Sequence, residues 1–196
     1  MFKKSLSIVE RAAKLTAKPA DIPNSSEVVE ALLEIEKAQK KAKNNYCFTD
    51  LIGTWNLRFI TGTKKSRKRM GIALGSGRYI PQLLSIQIAY EADRQKTFNT
   101  GRVKNTVIVG FITFSLSGPV KFLERKNILA FDFTRTIVKF FGRSIYDGYI
   151  KDGASREQKF YQEKINQQAF FSYFLIQDRF IAARGKGGGL ALWTKG

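Results

Sequence analysis

The run Leu51-Ile52-Gly53-Thr54-Trp55-Asn56-Leu57-Arg58-Phe59-Ile60-Thr61-Gly62 constrains this chain more than any other segment. Trp55, Leu57 and Phe59 alternate with Thr54, Asn56 and Arg58, the two-residue period of a half-buried strand. Gly53 at its entry permits a bend or a close backbone approach. Runs of the same kind follow. Leu84, Ile86, Ile88 and Tyr90 alternate within 83–90. Ile108, Ile112, Phe114 and Leu116 share one face of a strand expected over 107–117, with Gly110 among them. Leu129, Phe131, Phe133 and Arg135 share one side of 128–141. Residues 170–176, 180–184 and 190–194 read as three short closing strands, the last two joined by a glycine-rich turn at 185–189. The polar stretch 151–168 fits a loop or a short helix. A series of short strands separated by turn residues indicates an antiparallel barrel or sandwich. Strands this aromatic predict an apolar interior, suited to binding a greasy molecule.

Two helices are expected before the strands. Phe2, Leu6, Val9 and Ala13 form a stripe over 2–17, with Pro19 ending the segment. Its small, alanine-rich apolar face fits packing on the domain better than lying on a membrane. Val28, Leu32 and Ile35 form a stripe over 25–43. Asn24 and Glu27 are spaced as a capping pair, and early glutamates with late lysines complement the helix dipole. The expected organisation is therefore a helical segment over 1–45 and a β domain over 46–196.

Composition narrows the chemistry. The chain has 196 residues, 43% hydrophobic and 13% aromatic, including 16 Phe and 7 Tyr. It has no His, which removes the commonest general base and metal ligand. Its one cysteine, Cys47, excludes an intrachain disulfide or a thiolate metal cage. No paired carboxylates, nucleophile–base pair or metal-spaced cluster stands out, so neither an enzyme nor a cofactor is expected. No apolar run reaches membrane-spanning length, and the first segment lacks a secretory apolar core. The formal charge is +18, and most of the excess lies after residue 45. Anionic partners follow: lipid headgroups, nucleic acid or an acidic protein. Lys64, Lys65, Arg67, Lys68 and Arg69 form a basic cluster with no acidic residue among it. It reads as a solvated loop or as a docking element for an anionic surface.

Gly53-x-Trp55 near the start, Ser117-Gly118-Pro119 in mid-chain and Arg184-Gly185-Lys186-Gly187-Gly188-Gly189-Leu190 near the end together resemble the plastid-lipid-associated (fibrillin) family. The first and last of these are also similar to the lipocalin arrangement. The resemblance spans about residues 25–196 and is closest to cyanobacterial-type members. It implies a lipocalin-like antiparallel β-barrel preceded by helices. It further implies a non-enzymatic protein that binds or shields a lipid, quinone or carotenoid. Its implied location is cytoplasmic, peripheral to thylakoid membrane or lipid globules, or the plastid stroma in an alga. In the lipocalin arrangement a first-strand Trp packs at the closed end beneath a last-strand Arg. Gly53, Trp55 and Arg184 are therefore the expected barrel closure, with Arg184 over the indole. The strong basic charge departs from many members.

Leu57, Phe59, Ile112, Phe114, Phe131 and Phe133 are the candidate cavity walls, or ordinary core if the barrel is filled. Asp132, between two phenylalanines, is expected to meet an arginine or water. A nucleic-acid-binding β module is the alternative, since basic charge and aromatics also suit it. The aromatics instead follow a core-like alternation, and no RNA-binding signature is visible. A pigment-attachment chaperone is a further alternative, weakened by the missing catalytic set.

Overall fold

The computed structural model describes residues 2–14, 21–62, 77–81, 83–93 and 99–196. Helices α1 (Phe2–Ala13) and α2 (Ser25–Ala42) precede the sheet. The strands are β1 (Gly53–Thr61), β2 (Gly77–Tyr79), β3 (Leu84–Ala92), β4 (Thr100–Val109), β5 (Ile112–Leu123), β6 (Ile128–Phe131), β7 (Arg135–Phe140), β8 (Arg143–Tyr149), β9 (Ala169–Ile176), β10 (Phe180–Gly185) and β11 (Leu190–Lys195). A short helix α3 (Gly153–Lys159) and a 3-10 turn (Ile165–Gln167) occupy the polar stretch between β8 and β9. The eight strands β1-β3-β4-β5-β6-β9-β10-β11 pair antiparallel in that order, and β11 returns to β1. The expected barrel is therefore present as a closed, eight-stranded, up-and-down meander.

Two expected strands are divided. Over 107–117, Gly110 (φ 55°) and Phe111 form a turn between β4 and β5. Val109 then pairs with Ile112, so Val107 and Val109 share the face of Ile112, Phe114 and Leu116 while Ile108 takes the other. Over 128–141, residues 132–134 interrupt the strand. Both sides still pair with β5, and Asp132 N–H donates to Pro119 O (3.2 Å) and Thr134 N–H to Ser117 O (2.9 Å). The outer neighbour changes at this break, from β9 beside β6 to β8 beside β7. Gly118 is required here, because a Cβ would collide with the carbonyl oxygen of Asp132. The Asp132 carboxylate takes a two-pronged ion pair from Arg156 on α3, which also donates to Phe133 O (3.0 Å). The arginine partner expected for Asp132 is thus identified, and the pair anchors the branch point.

A second parting occurs on the other side. β1 pairs with β3 only from Gly53↔Tyr90 to Asn56↔Gln87, while β3 continues alongside β4 to Leu84↔Val109. Above these two partings the ends of β3, β4 and β5, with β7 and β8, form an arm. Among the described residues no strand pairing joins it to β2 or to β9–β11, although Ile80 and Pro81, just after β2, line a pocket with Leu57, Arg58, Leu84 and Ile86. In the lower half the ring of strand pairs is closed; in the upper half, among the described residues, the ring of pairs is open on both sides of the arm.

Two apolar clusters hold the fold. The inner one includes Trp55, Ile88, Tyr90, Val103, Val120, Leu129, Tyr173, Ile181 and Trp193, with Phe48 and Leu51 entering from below. The outer one joins Val9 and Ala12 of α1, and Val28, Leu32 and Ile35 of α2, to Phe174, Leu175, Ala182 and Leu192 on the barrel's outside. Leu6, Val9 and Ala13 of the α1 stripe thus face protein, as the packing reading expects, while Phe2 at its start is 40% exposed. Glu27 accepts from the Asn24 backbone N–H (2.9 Å), one half of the expected capping pair. Among the described residues no helix is long and apolar enough to cross a membrane.

Candidate functional site: the apolar face above a tyrosine bridge

The lower end of the barrel is sealed by its own residues. The 3-10 turn Phe48–Leu51 brings Phe48 within ring contact of Tyr90 (6.5 Å) and Phe122 (6.3 Å). Trp55 is fully buried and donates from Nε1 to the Leu51 carbonyl at 2.7 Å. Above this floor the hydroxyls of Tyr90 and Tyr173 meet at 2.7 Å. β3 and β9 stand four strands apart in a ring of eight, so this bond crosses the barrel from wall to wall. Burial pushes both phenols up from their ordinary pKa, Tyr90 further because of its neighbour Tyr173, so the bridge stays neutral. Aromatic contacts continue the filling: Tyr173–Trp193 at 6.4 Å, Phe171–Trp193 at 5.4 Å and Phe131–Phe171 at 5.0 Å.

The inner face does not end at the bridge. Register carries it upward through Ile86, Val107 and Leu116 to Phe114, Val138, Ile112 and Phe140 on the arm. Half-buried Leu57, Phe133 and Phe171 rim it where the barrel opens. At its base sits Asn105, opposite Ile88 and Leu116 and one inward position above Val103. The Asn105 side-chain oxygen is shielded from solvent and accepts no hydrogen bond from the protein. A buried polar atom left without a partner costs free energy, which a donor on a bound molecule would recover. The resulting surface suits a molecule with an apolar body and one hydrogen-bonding group.

The expected cavity walls divide three ways. Leu57 and Phe133 lie at the opening, with Phe131 packed behind Phe133 at 5.2 Å between ring centres. Ile112 and Phe114 share the inner face, but on the arm beyond the closed ring, where Ile112 is 51% exposed. Phe59 is a correction. Two residues of β1, Leu57 to Phe59, span one step of β11, Trp193 to Leu192. This bulge turns Phe59 to the outside, where it is buried in the helix-facing cluster against Tyr79 (5.1 Å).

The expected closure also needs correction. Arg184 does not reach Trp55. It pairs with Leu190 at the turn end of the β10–β11 hairpin, whereas Trp55 pairs with Lys195 at the opposite end of β11. Lys195 Nζ occupies the place over the indole, 5.3 Å from the ring centre. Arg184 instead grips both carboxylate oxygens of Glu36 of α2 through Nε and Nη2, with Nε to Oε1 at 2.9 Å, and donates from Nη1 to Gly188 O at 2.7 Å. Burial pushes the Glu36 carboxyl up, but Arg184 and Lys40 together outweigh it and hold the pKa below its usual value. Arg184 thus fastens the helical segment to the barrel. Gly53 enters β1 with φ 121°, a conformation that favours glycine. Lys64, Lys65, Arg67, Lys68 and Arg69 lie outside the described residues. The sequence matches no family model and no curated protein sequence.

Proposed function

We propose that this chain binds a hydrophobic small molecule, without converting it, while associated with an anionic lipid surface. The observation that carries this reading is the apolar inner face above the Tyr90–Tyr173 bridge, with the unpartnered Asn105 oxygen at its base. The lower barrel is occupied by its own aromatics, so the ligand lies in the open upper half. A lipid, quinol or hydroxylated carotenoid has the required chemistry: an extended apolar body with a terminal hydroxyl to donate to Asn105. The charge of +18 supports an anionic lipid surface, and the basic run Lys64, Lys65, Arg67, Lys68 and Arg69 is a proposed contact with it. Under this reading the chain is a fibrillin-type protein working beside a thylakoid membrane or lipid globule.

Two measurements test the ligand part. Solvent extraction of protein purified from its own host should yield a stoichiometric apolar molecule. Titration with N-phenylnaphthylamine should give saturable fluorescence that Phe114→Glu abolishes and Asn105→Leu alters. Leu83→Glu, on the most exposed large apolar side chain among the described residues, should leave it unchanged. An empty extract and unsaturable probe binding would sink the carrier reading.

A further inference from the structure

At the far end of the arm two turns meet. Gly110-Phe111 joins β4 to β5, and Phe141-Gly142 joins β7 to β8. Phe141 sits at φ 46°, a left-handed conformation that a phenylalanine rarely adopts. Its N–H donates to the Phe111 carbonyl at 3.0 Å, and the two rings stack at 4.2 Å. Phe140 meets Phe141 edge-on at 4.7 Å. This tied-down cluster is not covered: Phe111 is 66% exposed and Phe141 60%. Ile112 and Ile145 extend the apolar surface beside it. The tip stands roughly 23 Å beyond Gly118, taking about 3.3 Å per residue along β5.

The charge around the tip has one sign. Lys139 and Arg143 flank the β7–β8 turn, and neither 105–118 nor 135–149 contains an acidic residue except Asp147. Asp147 is engaged by Arg135, with Nε to Oδ1 at 2.8 Å. Projecting aromatics flanked by cations match the chemistry of a lipid interface, where rings sit at headgroup depth and basic groups meet phosphates. A second copy of the tip is a poor partner, because it would set two pairs of cations against each other.

We infer that the Phe111–Phe140–Phe141 tip is a membrane prong that enters the headgroup–acyl boundary of an anionic lipid bilayer, with Lys139 and Arg143 on headgroup phosphates beside it. This deepens the lipid-surface part of the proposed function and rests on it. It names an inserting element separate from the basic run at 64–69. It also sets the arm's apolar inner face as a continuous path from bilayer to barrel opening.

The test uses the full chain with vesicles of equal phosphatidylglycerol and phosphatidylcholine. In Phe111→Trp, vesicle addition should shift indole emission to the blue, and brominated acyl chains should quench it. Trp55 and Trp193 are buried and serve as the unshifted background in the parent protein. The F111S/F141S variant should bind at least about tenfold more weakly, since two apolar rings no longer leave water. Near-parental thermal unfolding would confirm that the variant is folded, because neither ring fills the core. Unchanged vesicle binding by F111S/F141S, or an unshifted, unquenched Phe111→Trp, would overturn the prong. So would sedimentation showing a dimer that F111S/F141S dissociates without affecting vesicle binding. Probe binding by the same variant separates the two proposals: if N-phenylnaphthylamine still saturates while vesicle binding is absent throughout, the prong fails and the ligand site stands.

Discussion

The lower and upper halves of this barrel are made from the same strands yet differ in what their inner faces do. Below, Trp55, Tyr90, Tyr173 and Phe48 fill the space between opposite walls. Above, Ile86, Val107, Phe114 and Val138 continue the same face beyond the closed ring of strand pairs, because β1 leaves β3 and β9 leaves the β6–β7 strand. The difference comes from pairing length and two local breaks, since both halves share one alternating apolar pattern. An eight-stranded ring either fills with its own side chains or holds one small ligand; here the lower ring is filled, which leaves the apolar face above it.

The largest expected effect tests the sealed half. Trp55→Ala should cost about 3–5 kcal/mol of unfolding free energy, measured by denaturant titration, because it leaves a cavity where the indole meets Leu51. A loss under about 1 kcal/mol would mean that the lower barrel is loosely packed. Next comes the branch point. Gly118→Ala should cost about 1–3 kcal/mol, since a Cβ collides with the Asp132 backbone that cannot yield without moving Thr134. Gly110→Ala has open space around it but a left-handed φ, and should cost about 1 kcal/mol. Equal costs at both glycines would contradict a tight branch.

The helical fastening titrates. The Glu36 pKa is lowered on folding, so the folded state favours its ionised form. That stability is fully present above the unfolded value near 4.5 and is lost as pH falls through the lower folded value. Arg184→Met should therefore destabilise by about 1–3 kcal/mol at neutral pH and flatten the parent's loss of stability below about pH 4.5. An unaltered pH profile would remove Glu36–Arg184 from the account. The smallest effect belongs to the upper half: Phe114→Ser should change stability by no more than about 1 kcal/mol, because Phe114 is already 39% exposed.

An antiparallel barrel or sandwich was legible because alternation and glycine turns mark strands locally, while most of β4 (Thr100–Val109) went unread and the barrel came from the resemblance. Failures occurred where a single residue changes phase. Arg58 is the extra residue of the bulge, so a strict period of two puts Phe59 on the wrong face. The two-residue turn at Gly110-Phe111 hides within continuous hydrophobicity, and only its paired register moves Ile108 off the shared face. The Trp55–Arg184 expectation failed on geometry readable from the chain: the turn at 185–189 fixes Arg184 at one end of the hairpin, and β11 then carries the chain back to the other. Asn105 was missed because a polar residue in a strand reads as outward-facing. Its pairing with Ile88 turns it inward. Asp132 was legible, because a carboxylate between two phenylalanines needs a cation.

Amide hydrogen exchange on the whole protein, with and without saturating decylplastoquinol, tests the central claim most directly. The account predicts ligand-induced protection along Ile86, Asn105, Val107 and Phe114, with Trp55, Tyr90 and Tyr173 already slow and unchanged. Protection gained instead around Tyr90 and Tyr173, with the upper face unaffected, would mean that the ligand enters the lower barrel and would contradict the division into a sealed and an open half.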